Sequence, residues 1–244
     1  MSRRVTLATA LRVLRQLRRD PRTLALLFLV PPLLITLFRY VFDAQPETFD
    51  RVGGPLVGIF PFSTMFVVTS IAMLRERTSG TLERLMTMPL AKLDLLAGYG
   101  LAFALVAALQ ACVTSAVAFG LLGLDVAGPV WLVIALAVAD AALGMSLGLF
   151  VSAFARTEFQ AVQFMPALVF PQLLLCGLLV PRAHMLTALR WLSAVLPLTW
   201  AYDGLSRGVD DRLGGAVVRD AAIVVGSALL ALALGATTLR RRTE

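Results

Sequence analysis

Few side chains in this sequence have the chemistry to react, and they are unevenly placed. Asp140 and Gln110 lie inside long apolar stretches, there is one histidine, His184, and a dense charged run begins Arg75-Glu76-Arg77. An ionised carboxylate at mid-bilayer depth costs roughly 2.5–3.5 kcal/mol, so Asp140 must face protein or water, or carry a proton. Gln110 is a candidate neighbour, and the two form a candidate intramembrane pair. A proton- or ion-coupled mechanism would use Asp140; a structural hydrogen bond would need no transport role for it. Gln160, Gln163 and Gln172 make no single polar stripe, because nine residues place Gln163 and Gln172 on opposite sides of a helix.

Other chemistries are missing from the pattern. No G-x-x-x-x-G-K-[ST] run is present, so this sequence is not expected to hydrolyse ATP, nor to be an enzyme by itself. A lone histidine excludes a histidine-based metal cluster, and His184 reads as an exposed loop residue. Cys112 and Cys176 fall within apolar stretches and read as small apolar residues, with no disulfide or metal framework. No cofactor or metal is expected on the chain.

The elements that carry these residues are set by composition. Of 244 residues, 59% are hydrophobic, against about 45–50% in soluble domains. The excess is clustered in runs of about 20 residues, the length a helix needs to cross a ~30 Å hydrocarbon core. The expected fold is therefore all-α: a polytopic membrane domain over residues 23–244 with six transmembrane helices, at 23–42, 56–74, 95–122, 130–155, 159–180 and 216–239. Pro31-Pro32 should kink the first. Residues 43–55 read as a short acidic loop. Residues 1–22 read as an N-terminal amphipathic interfacial helix, with Leu7, Ala10, Leu11, Leu14 and Leu17 on one arc and Arg4, Arg12, Arg15, Arg19 and Arg22 on another. Nothing before the first span has the apolar core of a signal peptide.

Charge orients the spans. The net charge is +7, and the basic residues sit at span ends, where the bilayer surface explains them without nucleic acid. With six spans, one side collects the seven basic residues of the first 22, four in the 75–92 loop, Arg156, and Arg240-Arg241-Arg242. The other side holds Asp43, Glu47, Asp50 and Asp125. This places both termini in the cytoplasm of a cytoplasmic (inner or plasma) membrane. A seventh span would export the C-terminal arginines, so 181–212 reads as an external, re-entrant or interfacial hairpin.

The 75–92 loop has structure of its own. Ser79 or Gly80 can cap a helix start, with Glu83 in its first turn. Leu82, Leu85 and Met86 follow i, i+3, i+4 spacing and form an apolar patch flanked by Glu83, Arg84 and Thr87, and Pro89 marks the exit. So short a helix is marginal alone in water; it needs either the membrane surface or a protein partner to lie against.

At this segment the sequence resembles the ABC-2 family of ABC-transporter permeases, the group that includes daunorubicin-resistance-type and nodulation-type exporters. The family pattern R-E-R-x-x-G-T-L-E-R-L-x-x-x-P-L is matched by Arg75, Glu76, Arg77, Gly80, Thr81, Leu82, Glu83, Arg84, Leu85, Pro89 and Leu90. Supporting resemblances lie at Phe154-Ala155-Arg156-Thr157 with Gln160-Ala161, and at Leu196-Pro197-Leu198-Thr199-Trp200-Ala201-Tyr202-Asp203-Gly204-Leu205. The small first external loop is unlike macrolide-type and lipoprotein-type exporters, and fits drug, lipid or glycan branches.

The resemblance implies a permease subunit of an ATP-driven exporter. The loop helix would be the coupling helix of residues 75–92, docking into a separate ATP-binding subunit that carries ATP and Mg. Glu83 or Glu76 would pair with basic residues of that subunit, and Leu82, Leu85 and Met86 would fill its groove. A second permease copy would complete the assembly, and the first, second and fifth spans would wall the pathway for a hydrophobic or amphiphilic compound. Two other readings stand beside it: an ion- or proton-coupled carrier using Asp140, and a non-transporting membrane scaffold or enzyme.

Overall fold

The computed structural model describes residues 3–81 and 92–238. Every regular element among them is helical: α1 (Arg3–Arg18), α2 (Pro21–Val41), α3 (Pro46–Thr78), α4 (Lys92–Ser115, continued by a π-helical turn Ala116–Leu121), α5 (Val130–Val151), α6 (Glu158–Phe164), α7 (Phe170–Leu175), α8 (Thr187–Val195), α9 (Pro197–Val209) and α10 (Gly215–Thr238). Of these, α2, α3, α4 with its π turn, α5 and α10 are long and apolar enough to cross a bilayer. The chain is a multi-pass membrane protein.

The packing centre is the pair α3 and α5, with α10 on the far side of α5 and α2 on α3. Between membrane helices there is little hydrophobic driving force, so close approach of small residues takes its place. Along α5, Ala137, Ala141, Gly144 and Gly148 recur at helical spacing and are buried. A Cβ at Gly144 would collide with the Phe62 carbonyl of α3. Thr69 of α3 donates its hydroxyl to the Met145 carbonyl at 3.2 Å across the same seam. Lipid-facing surfaces show the complementary pattern: α2 leaves Leu26, Leu29, Leu33 and Leu37 exposed.

Several boundaries differ from the expectation. The acidic loop 43–55 is mostly helix: α3 begins at Pro46, a proline in its first turn being preorganised for helix, with Glu47 against the N-terminal dipole. Ser79 and Gly80 also end a helix, and Thr81 directly after them is helical again. Arg75–Thr78 belong to α3, Ser79 is its C-cap, and Gly80 follows at φ +70°, a left-handed conformation that glycine adopts without the Cβ penalty. The run 159–180 is helical only as far as Leu175. It passes from α6 through a π turn (Met165–Val169) into α7 without a gap, then bends. Pro166 has no N–H for the Val162 carbonyl, which accepts from Met165 instead, while Phe170 reaches back to Met165. In contrast, α2 continues through Pro31 and Pro32.

Residues 181–212 form a helical hairpin. A short 3₁₀ turn (Arg182–His184) leads into α8, and Pro197 opens α9 after a break at Leu196. Helix α8 exposes Leu189, Trp191, Leu192 and Val195, whereas α9 is packed among α3, α5 and α10 with Leu198 and Leu205 fully buried.

Candidate functional site

The Arg75-Glu76-Arg77 triplet lies at the end of α3, directly before the 82–91 segment. Consecutive residues on a helix point about 100° apart, so the three side chains reach three different parts of the molecule. Arg75 forks onto Glu158 of α6, Nε to Oε1 at 2.7 Å and Nη2 to Oε2 at 3.0 Å, and lies 3.8 Å from Asp20, which precedes α2. Glu76 turns inward: it is 5% exposed, accepts from Arg12 of α1 at 3.3 and 3.4 Å, and accepts from the Tyr99 hydroxyl of α4 at 2.9 Å. Arg12 also bonds the Tyr99 oxygen and stands 5.5 Å over its ring. Arg77 reaches Thr238 near the end of α10 at 3.4 Å. One helical turn thus braces α1, the start of α2, α4, α6 and α10.

Each partner is placed by local sequence logic. Asp20 caps α2: its carboxylate accepts from the Thr23 N–H at 3.2 Å and the Thr23 hydroxyl at 2.7 Å, with Pro21 opening the helix. Those two bonds, with Arg75 adding its charge, hold the Asp20 carboxyl below the usual carboxylate range. Thr157-Glu158-Phe159-Gln160 is a variant of the capping box: Thr157 accepts from the Gln160 N–H at 3.2 Å, while Gln160 reaches back to the Arg156 N–H at 2.8 Å. The cap fixes Glu158 in the first turn of α6, where the Arg75 fork lowers its carboxyl as well. Helix α1 reaches Glu76 because Gly98 lets it sit against α4: a Cβ there would lie 2.5 Å from the Thr9 Cβ. Half of the apolar arc of α1 packs inward, with Ala10 and Val13 buried, and Leu7 and Leu11 remain exposed.

Above this hub, between α2, α3, the π turn Met165–Val169 and α7, is an apolar cavity of about 870 Å³. Its polar residues gather at the hub: Gln16, Asp20, Thr23, Arg75, Glu76 and Tyr99. Ser63 and Thr64 also line it, but both return their hydroxyls to α3 carbonyls, at 2.9 and 2.8 Å, so the wall stays apolar. At the other end of the cavity lie Phe38, Leu56, Phe60, Leu178 and Leu179.

The structure separates some residues that the sequence suggested would act together. Gln110 is not the partner of Asp140: its amide donates to the Leu27 carbonyl of α2 at 2.7 Å. Asp140 is fully buried, and neither of its oxygens has a hydrogen-bond partner among the described residues. One of them lies 3.2 Å from where a Cβ at Gly58 would stand. Glu76, read as an alternative to Glu83 for an outside cation, is instead committed to Arg12 and Tyr99. Leu82, Glu83, Arg84, Leu85, Met86 and Pro89 lie outside the described residues; Thr81 and Gly80 stand at the boundary, with the Ser79 and Thr81 hydroxyls 3.0 Å apart. His184 is exposed, as expected. Sequence reasoning missed Arg12, Asp20, Tyr99 and Glu158. Two of these were marked by caps, Asp-Pro-x-Thr at 20–23 and Thr-x-x-Gln at 157–160; Arg12 and Tyr99 carry no local signal.

Hub, cavity and long apolar helices define a class: a multi-pass helical membrane protein whose helices are braced together at one end. Comparison with known proteins sharpens this, since the model of the ABC-2 type transporter matches residues 4–209. The chain belongs to the ABC-2 type transporter family. It is similar to ABC transporter G family member 20 of Dictyostelium discoideum, at 29% identity over 152 residues, 62% of this chain and 21% of that protein. It is also similar to ABC transporter G family member 23 of the same organism, at 24% identity over 170 residues, 69% of this chain and 24% of that protein. The chain therefore spans about a fifth to a quarter of the length of these relatives.

Proposed function

We propose that the chain is the transmembrane permease subunit of an ATP-driven exporter of a hydrophobic or amphiphilic compound (a drug, a lipid or a lipid-linked glycan). A separate ATP-binding subunit, holding ATP and Mg, docks on the 82–91 segment, and a second permease copy completes the unit. In this reading the chain catalyses no hydrolysis itself. The segment 159–180 makes a sixth crossing, so both termini and the docking segment lie in the cytoplasm and the α8–α9 hairpin enters the outer leaflet of the cytoplasmic membrane. Helix α1 rests at the inner membrane surface with Leu7 and Leu11 toward lipid.

The observation that carries the reading is the fan of contacts from Arg75, Glu76 and Arg77. A load applied to the docking loop arrives first at this turn of α3. From there it passes to α6 through Glu158, to α1 and α4 through Glu76, and to α10 through Thr238. Helix α3 also walls the apolar cavity, and α6 leads directly into the π turn and α7 that line it, so displacement at the loop changes the cavity's shape. Coupling needs such an element with discrete arrangements biased from two sites. Co-purification tests the reading: a tagged chain expressed with the ATP-binding subunit encoded beside it should retain that subunit, and Glu83→Arg should release it. Assembly and ATPase stimulation unchanged in Glu83→Arg would count against docking through this residue.

A second reading, an ion- or proton-coupled carrier, is favoured by the unpartnered Asp140 alone. It requires transport without any ATPase and loss of transport in Asp140→Asn with the fold intact.

A further inference from the structure

The end of the chain opposite the arginine-rich one also carries arginines, and they are paired. Arg182, just past the bend after α7, bonds Asp203 of α9. Arg207 of α9 stands 3.9 Å from Asp203 and bonds Asp220 of α10, which is fully buried. Asp220 also accepts from Arg219 at 2.9 and 3.1 Å, and Arg219 lies 5.1 Å over the Trp200 ring. The chain of charges runs unbroken from the bend through α9 to α10. Charges so placed, and so little exposed, are costly to separate.

The bend itself is a strap, residues 176–181, and it closes on the cavity. Leu178 and Leu179 of the strap line the end of the cavity far from the hub. The strap leaves α7 at Gly177, whose φ of +109° is disfavoured for other residues, and a Cβ there would lie 3.1 Å from the Tyr202 ring of α9. Glycine at one end and a paired arginine at the other are the parts of a hinge and a catch. Cys176, the first residue of the strap, next to Gly177, is fully buried.

We propose that Arg182 and Asp203, backed by Arg207 and Asp220, form a latch that holds the 176–181 strap against the far end of the cavity. Arg182 acts as a positioning residue: it reaches the cavity only through Leu178 and Leu179. Release of this one pair frees the strap to swing about Gly177, uncovering the cavity on the side away from the docking loop. The latch depends on the cavity and hairpin of this chain alone, so it stands or falls apart from the ATP-driven reading.

Cys176 reports on the strap. In a Cys112→Ser background, purified into lipid nanodiscs, a water-soluble maleimide should label Cys176 slowly. Arg182→Gln and Asp203→Asn release the same strap from opposite sides. Each should raise the labelling rate by roughly ten-fold, the scale of one charge-assisted hydrogen bond lost. Arg190→Gln, which removes an exposed arginine of the same hairpin, should leave the rate unchanged. Labelling that stays slow in a monodisperse Arg182→Gln or Asp203→Asn sample would overturn the latch, as would an equal rise in Arg190→Gln.

Discussion

Glu76 accepts the Tyr99 hydroxyl at 2.9 Å, with Tyr99 1% exposed and Glu76 5% exposed. This bond joins the end of α3 to the start of α4, the two helices on either side of residues 82–91. With the half-buried Arg12 it forms a triad of one cation, one anion and one phenol, each supplying a partner to the others. A buried charge keeps its place only when such partners are present.

Removing one member should therefore be felt throughout the brace. Tyr99→Phe deletes the hydroxyl and leaves the packing; the loss of one hydrogen bond to a charged group corresponds to about 1.5–3 kcal/mol. Thermal unfolding in detergent should show the drop, and Glu76→Gln combined with Tyr99→Phe should cost less than the sum of the two. Strict additivity would mean that the triad does not act as a unit.

The α3–α5 seam is expected to be intolerant of added volume. Gly144→Ala drives a Cβ into the Phe62 carbonyl, which cannot move aside as a side-chain tip can. Overpacking of this kind costs about 1–3 kcal/mol or more. Gly226→Ala, at a position with nothing within 4 Å, is the matched control and should be silent or slightly stabilising. Equal melting temperatures for the two variants would contradict the packing.

The Arg75 corner predicts an acid sensitivity. Asp20 and Glu158 both have carboxyls lowered in the folded chain, Asp20 chiefly by Thr23 and Glu158 chiefly by Arg75. A lowered folded-state pKa means the contribution is complete above the ordinary carboxylate range, near pH 4. It is lost as pH falls through the lower, folded value. Melting temperatures followed from neutral to acidic pH should fall less steeply in Asp20→Asn combined with Glu158→Gln than in the parent. Both groups are well exposed, so the difference should be small and should shrink further in high salt.

Asp140 separates the transport readings. Its two oxygens are unpartnered, so Asp140→Asn removes no hydrogen bond seen among the described residues and should leave folding intact. In an ATP-driven exporter, ATP-dependent transport of a lipophilic dye by the assembled complex should persist in this variant. Abolished transport with normal assembly would favour the carrier.

Much of the fold was legible because membrane spans are written in long apolar runs. The start of α10 and the hairpin before it follow from length and charge alone. Boundaries fell where local chemistry outweighed hydropathy. Pro46 began α3 inside what looked like an acidic loop. Gly80, read as a helix start, also ends α3, because a glycine at φ +70° closes one helix while Thr81 after it is helical again. The π turn within 158–175 was signalled by Pro166, but α2 passes Pro31 and Pro32 without one, so the residue type alone does not decide. The site was less legible. The triplet at 75–77 was visible as a motif, whereas its partners lie as far as 161 positions away, Arg77 to Thr238. Contacts between helices depend on rotation and register, which a single sequence does not record. For the same reason Gln110 looked like a neighbour of Asp140 and is bonded to Leu27.

The central claim is that force applied to the loop reaches the transport path through the end of α3. It is tested most directly by ATP turnover and dye transport measured together in the reconstituted complex of this chain with its ATP-binding subunit. In Glu76→Gln combined with Tyr99→Phe, the subunit should stay bound and hydrolyse ATP, while transport per ATP falls several-fold. Transport per ATP unchanged from the parent, in a sample whose triad is broken, would contradict the account.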